Sequence, residues 1–441
     1  MTHTTLTAAA GACLLASIAG EAVARDWYVC AATGKGKTGT IDKPAKDLGN
    51  IITKLEAGDR VFIAEGEYLG RGSSGHDEIK VPVEIYGGWS QDFTARDPWG
   101  AHKTVLSGDN MSKNWKGMYR LKIDARKWFD DEPARIVVDG VIIDNAPRNR
   151  YKTDDQVKIV RTANPKTGQN PTPGTGGIYV VSPKQGEVVV RNCVVTNTAP
   201  TEGAFSLWGH QNSTITCENN LATNNTGNGF SLHSIWHSTD GLPQFTFNNN
   251  SSLFNEKPGP GDSDGGSALK LEADSVVVAN ANVFAFNDRF GVDNGRQARG
   301  VVLNNNIFAA CTEGEYLEFD IAMSLDVIED EPEHLDEAEG NEIVGVAPPV
   351  SENWARKYFS RVVVDRNAAE ADVKVEDTAE NQLRSMLGLP LQGTSLGEYS
   401  EVWLPRMTVA DAIASGAEQF LGSRGCRNPG TSSRPALPRM E

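Results

Sequence analysis

The chain has 441 residues, 58 acidic against 42 basic, and a net charge of −16. That length allows two or three ordinary domains or one long solenoid. So acidic a balance argues against nucleic acid and anionic membrane surfaces as partners, since both need a positive field.

In chain order, residues 6–20 are small and apolar, and Ala22-Val23-Ala24 supplies a cleavage site before Arg25. A secretory leader over 1–24 is expected, giving a secreted, periplasmic or cell-surface protein. Lipidation at Cys13 fits poorly, because neither Leu nor Val stands three residues before it. No later run is long and apolar enough to span a bilayer, and a monomer is expected. Beyond the leader lie Cys30, Cys193, Cys217, Cys311 and Cys426. Their odd number leaves at least one thiol free within a monomer. Most read as small buried residues, with Cys30–Cys426 the one pairing left open.

Residues 25–120 read as an N-terminal cap and first coils. Asp26-Trp27-Tyr28-Val29 is a strand, and 43–48 with 51–55 predict a helix. Gly58-Asp59-Arg60-Val61-Phe62-Ile63-Ala64-Glu65-Gly66-Glu67-Tyr68 and Val83-Glu84-Ile85-Tyr86-Gly87-Gly88-Trp89 follow as short strands and turns. This opening resembles the N-terminal part of many secreted bacterial parallel β-helix proteins. The resemblance implies the fold rather than an activity.

Residues 121–345 carry the repeat. Asparagines recur at 192, 220, 250, 282 and 306, at spacings of 28, 30, 32 and 24, and the fifth residue further on is Asn197, Asn225, Asn255, Asn287 or Cys311. Periods of this length are those of solenoid coils. The fold is therefore expected to be all-β, a right-handed parallel β-helix, right-handed because parallel crossovers almost always are. Asp139 and Asp144 are placed in the same columns one coil earlier. Stacked asparagines suit turns with positive φ and can hydrogen-bond up the column, so they are read as scaffold. Residues between them, such as Val194, Ala222, Ser252, Phe284 and Phe308, are assigned to the interior. Residues 145–175 read as a long inserted loop, and 326–342 as a solvated acidic loop. Residues 346–441 are expected to be a partly helical cap, with helix near 354–364, 380–387 and 409–421, and a disordered tail.

Downstream of each asparagine pair lies a second strand, from Phe205-Ser206-Leu207-Trp208 to Leu317-Glu318-Phe319-Asp320. Period-two alternation turns Trp208, His233, Glu272, Asp293 and Asp320 outward in one column, with Ser206, Ser231, Lys270, Gly291 and Glu318 beside them. Coils are about 4.8 Å apart, so such side chains can meet at one substrate atom or one ion. Lys270, His233, Glu272 and Asp293 are the candidate catalytic residues. Trp208, Arg289, Arg296, Glu318 and Asp320 are the candidate substrate contacts, with Arg299 a further local cation. Alternatively, Lys270, Arg289 and Arg296 merely neutralise the carboxylates as a salt-bridged surface.

The run Asp264-Gly265-Gly266-Ser267-Ala268-Leu269-Lys270, followed by Asn287-Asp288-Arg289-Phe290-Gly291-Val292-Asp293, is similar to calcium-dependent coils of the pectate-lyase-like superfamily. That resemblance implies Ca²⁺ held by Asp264, Asp288 and Asp293, with Lys270 a base. Arg289 departs from it, standing where an aspartate is expected. The resulting expectation is a lyase- or epimerase-like protein on an acidic polysaccharide. A glycoside hydrolase using a carboxylate pair and a non-catalytic extracellular binding or structural solenoid remain as alternatives.

Overall fold

Three long parallel sheets of twelve, nine and nine strands wrap one hydrophobic core in the computed structural model of the chain. The structure describes residues 24–70, 76–107, 119–128, 134–146, 157–160, 176–198, 203–256, 265–325, 332–344, 364–365, 373–375, 381–382, 385, 393–395, 402–405, 407–417 and 424–433. The expected leader up to 23, Asp264, the acidic residues 326–331, most of the expected helices at 354–364 and 380–387, and the tail from 434 lie outside these residues.

Each full coil contributes one strand to each sheet. Glu187–Arg191, Val194–Thr196 and Gly203–Gly209 form one coil, and Thr214–Glu218, Leu221–Thr223 and Asn228–Ser234 the next. Neighbouring coils pair in parallel at every sheet. The protein is thus a parallel β-helix, as its repeats predict. Alternation fills it: Val188, Ile215, Phe245, Val277 and Val301 follow one another up an inward column of the first sheet. Burying each such side chain stabilises the fold by about 1.5–3 kcal/mol. At the corner of the third sheet Gly229 is required, because a Cβ there would sit 2.0 Å from Ser252 Oγ.

The structure splits the asparagine repeat into two roles on adjacent residues. The amide ladder runs Asn220, Asn250, Asn282, Asn306 and on to Asn341; each backbone N–H donates to the next side-chain oxygen at 2.8–3.0 Å. Positive φ belongs to the preceding residue: Asn192, Asn219, Asn249, Ala281 and Asn305. Asn192 is therefore a turn residue and Cys193 heads the ladder, its N–H donating to Asn220 Oδ1. The second corner repeats this pattern. Thr198 heads Asn225, Asn255 and Asn287, while Asn197, Asn224, Phe254, Phe286 and Ala310 take positive φ. Asp139 and Asp144 align in register with Arg191 and Thr196, but their carboxylates accept from Asn192 and Asn197, as expected of shared columns, and these turn asparagines accept in turn from Asn219 and Asn224. Asp139 also binds Arg96 and Arg191.

Other expectations also shift. The helix predicted at 43–55 is two 3-10 turns, Leu48–Asn50 and Ile52–Lys54. The acidic stretch supplies a further coil, Leu335–Glu337 and Glu342–Val344, held by Asn341. Inside the predicted loop, Val157–Val160 pairs antiparallel with Val402–Pro405. Val194 faces away from the interior with Leu221, Val283 and Ile307, under the helix Val409–Ala417. That helix therefore covers the flank of the second sheet rather than an end of the stack. It starts at Thr408, whose Oγ1 accepts from Asp411 N.

From Arg424 the chain runs along the solenoid axis, and Gly425, Cys426 and Arg427 meet successive coils. Arg424 binds Glu342, Gly425 N donates to Ala281 O, Cys426 N to Ser251 Oγ, and Arg427 N to Asn219 Oδ1. Ser432–Ser433 then pairs antiparallel with Ala95–Arg96 near the first coils. Cys30, Cys193, Cys217, Cys311 and Cys426 are all free thiols, so Cys30 and Cys426 do not pair. Burial pushes the Cys193, Cys311 and Cys426 thiols up to about 12.

Candidate active site

The outer face of the third sheet holds the candidate residues, and the helix Val409–Ala417 lies on the second sheet instead. One outward column reads Tyr179, Ser206, Ser231, Lys270 and Asp293. The neighbouring column reads Val181, Trp208 and His233, and Glu272 follows with its N–H on Leu232 O. Asp293 thus stands beside Lys270, one column from its predicted place. The reason is local: Val292, not Phe290, takes the inward position level with Leu269. Gly291 falls at the corner against the Phe308 ring, where a Cβ would be 2.4 Å from Cδ1.

Lys270, His233, Glu272, Trp208 and Arg296 converge on a groove of about 520 Å³, together with Asn228, Ser231, Ser234, Ile235, His237 and Ala273. Glu272 lies at its centre. Its Oε1 is 3.5 Å from Lys270 Nζ and 4.0 Å from His233 Nδ1, and its Oε2 is 3.4 Å from Arg296 Nε. Lys270 is nearly buried, while more than half of the Arg296 side chain is exposed. With His233 neutral, Lys270 and Arg296 are the cations that face the Glu272 carboxylate among the described residues.

Trp208 and His233 stack face to face, with ring centroids 3.9 Å apart and planes within 5°. One face of the Trp208 indole is therefore covered, and its Nε1–H is held by Ser206 Oγ at 2.9 Å. Trp208 walls the groove rather than offering that face to a sugar ring. Trp236, the other aromatic of this region, stacks on His210 and donates to Asp240 O.

Burial, reinforced by the Lys270 and Arg296 cations, pushes the His233 imidazole down to about 3. It is neutral near pH 7 and a weak base there. The unfolded imidazole takes its proton near 6.5 and the folded one only near 3. Between those values the unfolded state binds more protons, so stability should fall as pH drops through that window. The slope is up to about 1.4 kcal/mol per pH unit. His233→Gln should flatten this acid limb when melting temperature is followed from about pH 7 to about pH 4. Parallel curves for the two proteins would place the pH dependence elsewhere.

The remaining predicted residues do not join the groove. Asp293 is clamped by Arg289 Nη1 at 3.0 Å and Gly295 N at 3.0 Å, with Ser267 Oγ at 3.4 Å. Arg289 also binds Glu313 at 2.9 Å, and Arg299 binds Asp274 at 2.9 Å. Glu318 is 1% exposed and accepts from Tyr316 Oη and His334 N, which removes it as a substrate contact. Asp320 is exposed beyond the end of the strand Gly314–Glu318. Glu272 lies against Lys270 and Arg296, and Asp293 against Arg289, so each carboxylate has a cation of its own. Asn228, Ser234, Ile235 and His237 were missed; their only sequence signal is adjacency to His233.

Asp288 and Asp293 fit a calcium site poorly. Asp293 already carries a guanidinium, and among the described residues no three His, Cys, Asp or Glu side chains cluster closely enough to hold a metal ion.

No protein-family model matches the chain, and no curated protein matches it in sequence. Among solved structures it is similar to that of a pectate lyase, Pel9A, at 13% identity and a TM-score of 0.32, over 74% of this chain and 78% of that one. Among the described residues no helix is long and apolar enough to cross a membrane.

Proposed function

We propose that the protein is a secreted carbohydrate-active β-helix acting on an acidic polysaccharide, as a lyase or an epimerase. The observation that carries this reading is the charge of the groove. In a chain at −16, Lys270 and Arg296 stand together in one concave site, with Glu272 the carboxylate between them among the described residues. An anionic ligand has cations to pair with there.

Both reactions begin with removal of the proton beside a uronate carboxylate. Arg296, at the exposed rim, is suited to pair with that carboxylate and lower the cost of the carbanion. Lys270 is the candidate base; it can take the proton only after giving up its own, which leaves Arg296 as the cation facing the substrate carboxylate. In a lyase the electron pair left on carbon then forms a double bond and expels the glycosidic oxygen. In an epimerase a proton returns to the opposite face. No step is routed through calcium.

A second reading, binding without turnover, is favoured by the ion pairs of Lys270 and Arg296 with Glu272. Incubation with a panel of polyuronates in heavy water, with and without added calcium, separates the two. Turnover gives unsaturated-product absorbance or deuterium at the epimerised carbon. Binding with neither signal leaves a non-catalytic glycan-binding solenoid.

A further inference from the structure

His237 borders the groove that Lys270 and Arg296 line, and a carboxylate holds it there. Its Nδ1 lies 3.2 Å from Asp274 Oδ2, and the other oxygen of Asp274 accepts from Arg299 Nε at 2.9 Å. The three residues follow three successive strands of the third sheet, Asn228–Ser234, Leu269–Leu271 and Phe290–Asn294. A carboxylate only accepts, so Nδ1 carries the hydrogen and Nε2 is the nitrogen left to exchange a proton. The Asp274 side chain is 13% exposed and that of His237 72%, so the carboxylate is anchored and the imidazole is reachable. Asp274 stands at a turn, with a φ of 61°. Gly or Asn would serve that turn as well; the carboxylate adds a charged acceptor for a ring N–H and a guanidinium at once. The turn that presents His237 is tied too. Ser234 Oγ accepts from Trp236 N at 3.0 Å and donates to Trp236 O at 2.6 Å, and Trp236 Nε1 donates to Asp240 O at 2.8 Å. Lys270 and Asp274 are four residues apart along the chain, at most roughly 13 Å. That span leaves room for a sugar ring between side chains reaching in from either end.

We propose that His237 is a second proton-transfer residue of this groove, with Asp274 as its positioning residue. The inference rests on the lyase-or-epimerase reading and deepens it. Each reaction moves two protons. One leaves the carbon beside the uronate carboxylate. The other arrives at the opposite face of that carbon in an epimerase, or at the departing glycosidic oxygen in a lyase. Lys270 takes the first with its amine, and His237 supplies the second from Nε2. In the epimerase the electron pair of the broken C–H bond forms the new C–H bond. In the lyase it forms the double bond, while the pair of the broken C–O bond leaves with the oxygen. Either way Lys270 ends with one proton more and His237 with one fewer, and exchange with water resets both. Reverse epimerisation runs the same two residues in the opposite sense, with Asp274 stabilising the imidazolium that His237 becomes.

The test incubates polyuronate oligosaccharides in heavy water with the wild type, His237→Ala and Asp274→Asn, following unsaturated product and deuterium at the epimerised carbon. His237→Ala should lower kcat about 10²-fold or more, with KM within about twofold. Added imidazole should restore part of that rate, because the ring it replaces is exposed. Asp274→Asn should lower kcat about tenfold or more at unchanged KM, since an amide no longer secures the hydrogen on Nδ1. Melting temperatures close to that of the wild type separate these losses from misfolding. Undiminished kcat in His237→Ala overturns the role of His237 and leaves the acidic-polysaccharide reading standing. A loss that imidazole does not relieve, with Asp274→Asn undiminished, overturns it as well, since the ring would then only shape the groove. Neither signal from the wild type, whether or not it binds the oligosaccharides, overturns the proton-transfer role and the lyase-or-epimerase reading together.

Discussion

Arg120→Met should destabilise the protein by about 3–5 kcal/mol, the range for breaking a buried ion pair. Arg120 and Asp77 are both fully buried, with Nη1 2.5 Å from Asp77 Oδ2. The guanidinium also donates to Tyr68 O at 2.9 Å and to Ser107 O. One side chain therefore ties together three segments of the early coils. Without it, Asp77 would keep a charge with no counterion, Ser107 O would lose the guanidinium donor, and Tyr68 O would keep only Ser107 N. Asp77 Oδ1 already lacks a hydrogen-bond partner among the described residues, so the carboxylate has no reserve. Because desolvating both ions is costly, the double replacement Arg120→Met with Asp77→Leu should recover much of the loss. Denaturant midpoints of the three proteins decide this. A loss under about 1 kcal/mol for the single variant would mean that water reaches the pair.

The largest functional effect is expected at Lys270. If the protein turns over a polyuronate, Lys270→Ala should lower kcat by about 10²- to 10⁴-fold, the usual contribution of a positioned base. Lys270→Arg should not restore it, because a guanidinium does not deprotonate near neutral pH. Arg296→Ala should raise KM and also lower kcat, since the guanidinium both binds the carboxylate and offsets the charge that develops on it. A Lys270→Ala protein with undiminished unsaturated product would pass the base role to another group, Glu272 being the nearest.

The repeat was legible because it is chemically narrow. Only a small amide fits a buried corner and bonds to its copies above and below, so asparagines at 220, 250, 282 and 306 announce themselves. The first coil misled because Asn192 and Asn197 are also asparagines, chosen for positive φ one residue before the ladder. Identity alone cannot separate those two uses. The acidic stretch hid a coil because Asn341 was the only ladder signal among many charges. Counting from the ladder placed Trp208, His233 and Glu272 correctly. It failed at Asp293, since the corner at Gly291 adds a step that strict alternation does not foresee. Arg289 was a visible departure from the calcium-type pattern, and its contact with Asp293 is what that substitution predicts. The partners of Glu318 could not be read, since Tyr316 and His334 reach it through the fold.

The strap at 424–433 changes what kind of object the stack is. A solenoid whose coils touch only their neighbours can fray from either end, each coil peeling off with its own small free energy. Here a late segment is stitched to the coils of Glu342, Ala281, Ser251 and Asn219 in turn, and then to Arg96 near the start. Peeling one coil must also unpick a thread shared by the rest. The expected behaviour is that of a laced column, in which the ends report each other's loss. Its lacing is also completed late, because coils formed early in synthesis wait for a segment more than four hundred residues along the chain.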